Sequence, residues 1–214
     1  MTCPLCAGAA APFAAGAARA ARRCGTCALT FVAADRHLSP EAEKARYAEH
    51  RNDPGDAGYR AFLDRLLVPL AERLAPGAEG LDFGCGPGPT ASVMLSERGF
   101  KVRDWDPYFK TDEAALKRQY DFIVCTEVLE HLRRPGVTLD RLDGLLRPNG
   151  VLGVMTMLLE ADDAFGTWWY ANDPTHIAFY KADTLRWIAA SRGWAVELLP
   201  KGAAVFRKSA PEGV

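Results

Sequence analysis

The chain has 214 residues, 49% of them hydrophobic, enough for one ordinary domain with a sizeable core and a small additional module. Its formal net charge of −1 excludes the whole-molecule basic footprint that nucleic-acid binding usually leaves. No apolar run approaches the roughly 18 residues needed to cross a bilayer, and the sequence opens on Cys and Pro rather than on a charged stretch followed by an apolar one, so a cytoplasmic protein is expected.

Four of the six cysteines fall within the first 27 residues. Cys3-x-x-Cys6 and Cys24-x-x-Cys27 have the spacing of two knuckles that close a tetrahedral zinc site. Four thiolates leave no coordination position open, so such an ion is structural; redox dithiols or unused thiols are the alternative. Residues 1–37 also carry Arg19, Arg22, Arg23 and Arg36 against Asp35, but a zinc tetrathiolate would offset most of that positive balance. Residues 7–21 are mostly Ala and Gly and fix neither strand nor helix, while Ala28–Val32 reads as one strand of a ribbon. A segment this short has too little apolar volume for its own core, so metal binding would supply most of its order.

Residues 38–78 read as a helical cap. Ser39-Pro40-Glu41 is a helix start, with a hydroxyl cap, proline at the first helical position and an acid in the first turn, and the helix runs to about Glu49. After the turn-rich Asn52–Asp56, Phe62, Leu66, Leu67, Leu70 and Leu74 recur at helical spacing, with a kink expected at Pro69 and a stop at Pro76-Gly77. The polar run Arg46, Tyr47, His50, Asn52 and Tyr59 lies before the first strand.

Residues 79–214 alternate strands and helices. The strands expected are Gly80–Phe83, Lys101–Asp106, Asp121–Thr126, Val151–Met157, Ala195–Leu199 and Ala203–Arg207, with one helix from Lys181 to Ser191. The first strand ends in Asp82-Phe83-Gly84-Cys85-Gly86-Pro87-Gly88, a turn whose glycines let backbone pass close to a ligand. About twenty residues on, Asp106 ends the second strand, where such folds hold both hydroxyls of a ribose. Glu127, Glu130 and His131 follow the third strand at its carboxyl end.

Asp82–Gly88, Asp106-Pro107, Tyr120–His131 and Leu145–Gly150 together resemble the class I S-adenosylmethionine-dependent methyltransferases over residues 57–208. The resemblance implies an α/β, Rossmann-like sheet, here carrying an N-terminal zinc-ribbon-like module. Only fourteen residues separate Asp106 from Asp121, where the family places a helix and a further strand. The third strand is therefore expected to be reduced or missing, with Pro107–Asp112 or another segment cupping the adenine.

The resemblance also implies roles. Asp82 would accept from the cofactor's ammonium, with Gly84, Cys85, Gly86, Gly88, Pro107 and Glu127 around the cofactor and Asp106, or failing it Asp104, on the ribose. The polar run before the first strand lies where enzymes of the family this chain resembles close over the cofactor. Cys85 and Cys125 read as small, soft residues that tolerate burial, not as nucleophiles. His131 would serve as general base or as ligand for an acceptor-bound metal, or would merely bond backbone or Glu130. Trp168, Trp169, Tyr170, Phe179 and Tyr180 would roof the site and leave Asp173 and His176 facing the acceptor, and Tyr180 joins these as a catalytic candidate; a packed lid is the alternative. The function expected is methyl transfer from S-adenosylmethionine to a small molecule. The rivals are an RNA methyltransferase that docks through the ribbon, a cofactor-binding protein without turnover, and a nicotinamide dehydrogenase, the last disfavoured by G-C-G-P-G in place of G-x-G-x-x-G.

Overall fold

The computed structural model describes residues 1–13, 20–49 and 52–210. Strands β1 (Ala10–Phe13), β2 (Ala21–Cys24) and β3 (Thr30–Val32) form the N-terminal ribbon, followed by helices α1 (Pro40–Tyr47) and α2 (Ala57–Ala71). Then come β4 (Glu79–Phe83), α3 (Thr90–Glu97), β5 (Lys101–Trp105), β6 (Tyr120–Thr126), α4 (Pro135–Leu145) and β7 (Leu146–Met155). The chain closes with β8 (Ala178–Phe179), α5 (Ala182–Arg192), β9 (Ala195–Leu198) and β10 (Ala203–Arg207).

The main sheet has the order β5-β4-β6-β7-β10-β9, with β5, β4, β6 and β7 parallel and β10 antiparallel to both its neighbours. Side chains alternate across β6. Phe122 and Val124 pack with Leu63, Leu66, Leu67 and Leu70 of α2 and Met94 and Leu95 of α3; Ile123 and Cys125 pack with Leu139 and Leu142 of α4 and Leu185 and Ile188 of α5. Helices therefore cover both faces of the sheet, as parallel strands require.

No strand lies beyond β5 among the described residues. The connection to β6 is reduced to a bridge between Asp106 and Lys110 and a 3-10 turn at Glu113–Lys117. Ser39 caps α1 as expected, its Oγ accepting from Ala42 N–H at 3.3 Å, but the helix ends at Tyr47. Pro69 falls in the last turn of α2, which stops at Ala71 short of Leu74. β7 starts earlier than expected, at Leu146, and its register with β6 shifts between Tyr120 and Phe122.

The ribbon does not stand alone. β3 pairs antiparallel with β8, so the ribbon sheet runs β1-β2-β3-β8, and Val32 N–H adds a bond to Ile177 O at 2.9 Å. Leu5, Leu29 and Phe31 are buried in the same cluster as Leu129, Leu139 and Leu185. A Cβ on Gly136 would approach Leu5 O to 2.5 Å, so the first knuckle sits directly on the start of α4. Arg23 reaches Asp162 through two N–H bonds at 2.9 and 3.0 Å while lying over the Phe13 ring. The apolar surface that this segment is too short to bury against itself is buried against the rest of the chain.

Replacing Phe31, 3% exposed, with Ala is expected to lower stability by about 3–5 kcal/mol. Denaturant unfolding followed by tryptophan fluorescence should show one transition displaced as a whole; an early transition confined to the ribbon, with the main one unmoved, would contradict a shared core.

Candidate active site

The glycine-rich loop leaves β4 in left-handed conformation at Gly84 (φ +80°) and Gly86 (φ +65°), which side chains rarely adopt. Asp106, at the end of β5, fixes that loop. Its Oδ2 accepts from Gly86 N–H at 3.0 Å, and its Oδ1 accepts from the N–H groups of Tyr108 and Phe109 at 2.8 and 3.0 Å. A carboxylate offers about four lone-pair positions, so capacity for a further donor remains.

Beside this clamp opens a cavity of about 640 Å³. One end is walled by Gly84, Gly86, Pro87, Trp105 and the Asp106–Phe109 turn, and the other by Glu127, Glu130, His131 and His176, with Tyr47, Asn52 and Tyr59 closing over it. The polar run before the first strand thus reaches the cavity at three positions; Arg46 instead pairs with Glu49 and Asp173, and His50 and Arg19 lie outside the described residues.

Among the expected cofactor positions, Gly84, Gly86, Asp106, Pro107 and Glu127 line this cavity, whereas Asp82, Cys85, Gly88 and Asp104 do not. Asp82 is 1% exposed; burial, then the carboxylates of Asp104 and Asp106, push its pKa up to about 8, against a lowering contribution from the backbone of Ser92 in α3. Burial and the same three acids raise the Cys85 thiol, which leaves it protonated. Gly88 has a different reason for lacking a side chain: a Cβ there would meet Asn52 O at 2.2 Å, the carbonyl that Thr90 Oγ1 bonds at 2.8 Å. It admits the covering segment.

At the other end, Glu127 takes left-handed backbone (φ +53°), unusual for a residue with a side chain and typical of functional sites. Its N–H donates to Met155 O at 2.8 Å, and burial followed by the charge of Glu130 pushes its carboxyl up to about 9. Glu130 is wholly buried, and that burial raises its pKa against the lowering influence of His176 and of the Tyr170 and Thr156 hydroxyls. The rings of His131 and His176 meet edge-on, centroids 4.8 Å apart. His131 Nδ1 bonds Thr175 O at 3.0 Å and His176 Nδ1 bonds Tyr170 O at 2.7 Å, while burial lowers the pKa of His176.

Three expectations for the aromatic stretch are corrected. Tyr180 is fully buried and outside the cavity wall, its hydroxyl donating to Leu129 O at 3.0 Å, because β3 and β8 enclose it in the core. Trp168, Tyr170 and Phe179 pack with Phe13 and Phe165 beneath the ribbon, and Trp169 is 67% exposed, so none of them roofs the cavity. Asp173 is also outside the wall; its Oδ1 accepts from Thr175 N–H and Oγ1 at 2.9 and 2.6 Å and so shapes the turn that presents Thr175 O and His176.

Sequence reasoning missed the Glu43 cluster. Glu43, 6% exposed on α1, accepts from Tyr47 and Tyr108 hydroxyls at 3.1 and 2.8 Å and from Arg133 at 3.3 Å, tying α1, the β5 turn and the segment before α4 together at the cavity. One acid in a helix of charged residues carries no local sign of burial.

Residues 47–199, more than half of the chain, match a family described as a methyltransferase domain, and the chain belongs to that family. The fold agrees. The 1,6-didemethyltoxoflavin-N1-methyltransferase of Burkholderia thailandensis, solved with 1,6-didemethyltoxoflavin and S-adenosylhomocysteine bound, superposes with a TM-score of 0.60 at 16% identity, over 85% of this chain and 96% of that one. An O-methyltransferase family protein from the same organism gives 0.52 at 15% identity, over 79% of this chain and 64% of that one. An O-methyltransferase family 2 protein from Planctomyces limnophilus, in complex with apigenin, gives 0.51 at 13%, over 82% and 64%. Comparison with curated proteins gives no match.

The pKa of Asp82 sets a pH-dependent stability. The folded carboxyl stays neutral to about pH 8, whereas in the unfolded chain it ionises above about pH 4, so stability is complete below pH 4 and declines as pH rises toward 8. Asp82→Asn removes that decline. Its melting temperature is expected to match the parent's below pH 4 and to exceed it by several degrees at pH 8; a gap independent of pH would show that the carboxyl is not held neutral.

Proposed function

We propose that this methyltransferase-family protein transfers the methyl group of S-adenosylmethionine to a small-molecule acceptor and carries a structural zinc ion in its ribbon. The observation that carries the reading is the Asp106 clamp on the glycine loop, which opens backbone and one spare carboxylate position onto the cavity. The chemistry of the wall suits the cofactor. Its sulfonium and ammonium are cations, and the Asp106 carboxylate lies in the wall with the buried carboxyls of Glu127 and Glu130, whose ionised form a cation would favour. The cavity volume falls within the roughly 300–1,000 Å³ of small-molecule sites.

Bound S-adenosylmethionine supplies a methyl group on positively charged sulfur. Asp106 would take a ribose hydroxyl at its spare position, and Trp105 with the Pro107–Phe109 turn would enclose the adenine in place of the strand missing beyond β5. His131 and His176, with Nδ1 fixed on backbone carbonyls, turn Nε2 into the lone-pair nitrogen of each ring, and either suits removal of an acceptor proton. Asp173 acts as a positioning residue through Thr175. The catalytic contribution is chiefly orientation and removal of water, which suffices for an in-line displacement.

The small-molecule reading is supported over RNA by the commitment of Arg23 to Asp162 and Phe13, which takes a ribbon arginine out of service for phosphate. In the ribbon, the Sγ atoms of Cys3, Cys6, Cys24 and Cys27 all lie within 4.8 Å of one another, with Cys3–Cys27 at 3.6 Å and Cys6–Cys24 at 3.4 Å. Zinc with four sulfurs at about 2.3 Å needs sulfur separations of about 3.8 Å, so the cluster fits. Gly8 and Thr26 N–H groups donate to Cys6 and Cys24 Sγ, each at 3.4 Å, and such outer bonds orient metal ligands. A thiolate site of this kind suits the reducing cytoplasm.

Titration calorimetry is expected to detect S-adenosylmethionine and its demethylated product, with Asp106→Ala weakening both by tenfold or more through the loss of a charged acceptor. A folded protein that gives heat with neither ligand would overturn the assignment. Metal analysis without added zinc should return at least one equivalent, and chelation should lower the melting temperature; less than half an equivalent with four reactive N-terminal thiols would remove the zinc.

A further inference from the structure

We infer that Glu130, His131 and His176 form a second metal site, for a first-row divalent cation at the acceptor end of the cavity. One oxygen of Glu130 and one nitrogen of each histidine lie within 4.8 Å of one another, and His131 Nε2 is 3.9 Å from Glu130 Oε1. Metal–ligand bonds of about 2.1 Å place neighbouring donors roughly 3–3.5 Å apart, a contraction that ring and carboxylate rotation supplies. The set spans two segments already joined: Glu130 and His131 lie in the turn after β6, His176 precedes β8, and Ile177 N–H donates to Glu130 O at 2.8 Å.

Two independent observations point to a cation. Glu130 is completely buried and, among the described residues, no lysine or arginine pairs with it, a state that a protein interior tolerates poorly without a positive ion. Both histidines bond a backbone carbonyl through Nδ1, the outer bond that fixes tautomer and ring orientation in metal-ligating histidine and makes Nε2 the donor. Two imidazoles and one carboxylate suit Mn(II), Fe(II), Co(II) or Zn(II) better than calcium. All three residues face the cavity, so the remaining coordination positions open toward it. On the functional reading above, the ion takes the Nε2 lone pairs and stands in for a histidine base by lowering the pKa of the acceptor, whose class is then a molecule with an ionisable oxygen that the ion binds.

The full-length protein, its cysteine cluster filled with zinc, is titrated with Mn(II) and Co(II). One further equivalent of each is expected, the Co(II) form showing nitrogen–oxygen d–d bands without sulfur charge transfer, and NMR showing two hyperfine-shifted exchangeable ring N–H signals, one per histidine. Glu130→Gln and His176→Gln should each weaken Mn(II) binding by about tenfold or more, while Arg22→Ala leaves it unchanged. Acetohydroxamate, a bidentate oxygen ligand, should shift the Co(II) bands; unchanged bands would overturn the open face. No uptake beyond the cysteine cluster by folded protein, or no shifted ring N–H signals, overturns the site even where the variants fail to fold. These readouts need no methyl transfer, so they fail separately from calorimetry with S-adenosylmethionine.

Discussion

Unpaired acidity at the carboxyl end of the parallel strands is the constraint around which the active half of the molecule is arranged. Asp82, Glu127 and Glu130 are buried or nearly so, and among the described residues none forms an ion pair with lysine or arginine. An interior that desolvates acids without matching cations stores an unfavourable potential. A cationic ligand relieves it, and the proposed occupants, a sulfonium and a divalent ion, share that property. Asp106 differs because backbone N–H groups from two turns satisfy it, which makes it the rigid point of the site.

The ribbon belongs to the same problem. β8 is only two residues long, too short to hold its place by itself, and it begins two residues after His176. Pairing with β3 on one side and the Ile177–Glu130 backbone bond on the other pin it. Order in the cysteine knuckles is thereby transmitted to one histidine of the cavity through hydrogen-bonded backbone. The first knuckle also needs the absence of a side chain at Gly136, so ribbon and sheet constrain each other's sequence.

Loss of the strand beyond β5 has a compensating feature. The short turn after Asp106 brings Tyr108 close enough to bond Glu43, and Arg133 joins from the segment leading into α4. Three regions distant in sequence close the cavity through one carboxylate.

The amino-acid sequence by itself determined the periodic and local features: the strand that breaks into Gly84–Gly88, the acid at the end of β5, the Ser39 cap, and the missing strand, which the spacing from Asp106 to Asp121 leaves no residues to build. Each depends on neighbours within a few positions or on chain length alone, so it is legible without a fold. Tertiary structure decided which polar groups face the cavity. Asp82 turned toward α3, Tyr180 entered the core because β3 covers it, Gly88 yielded to Asn52, and Glu43 became a hub, since each outcome depends on a partner dozens of residues away. Burial and hydrogen bonding are set by those distant partners, and no local pattern encodes them.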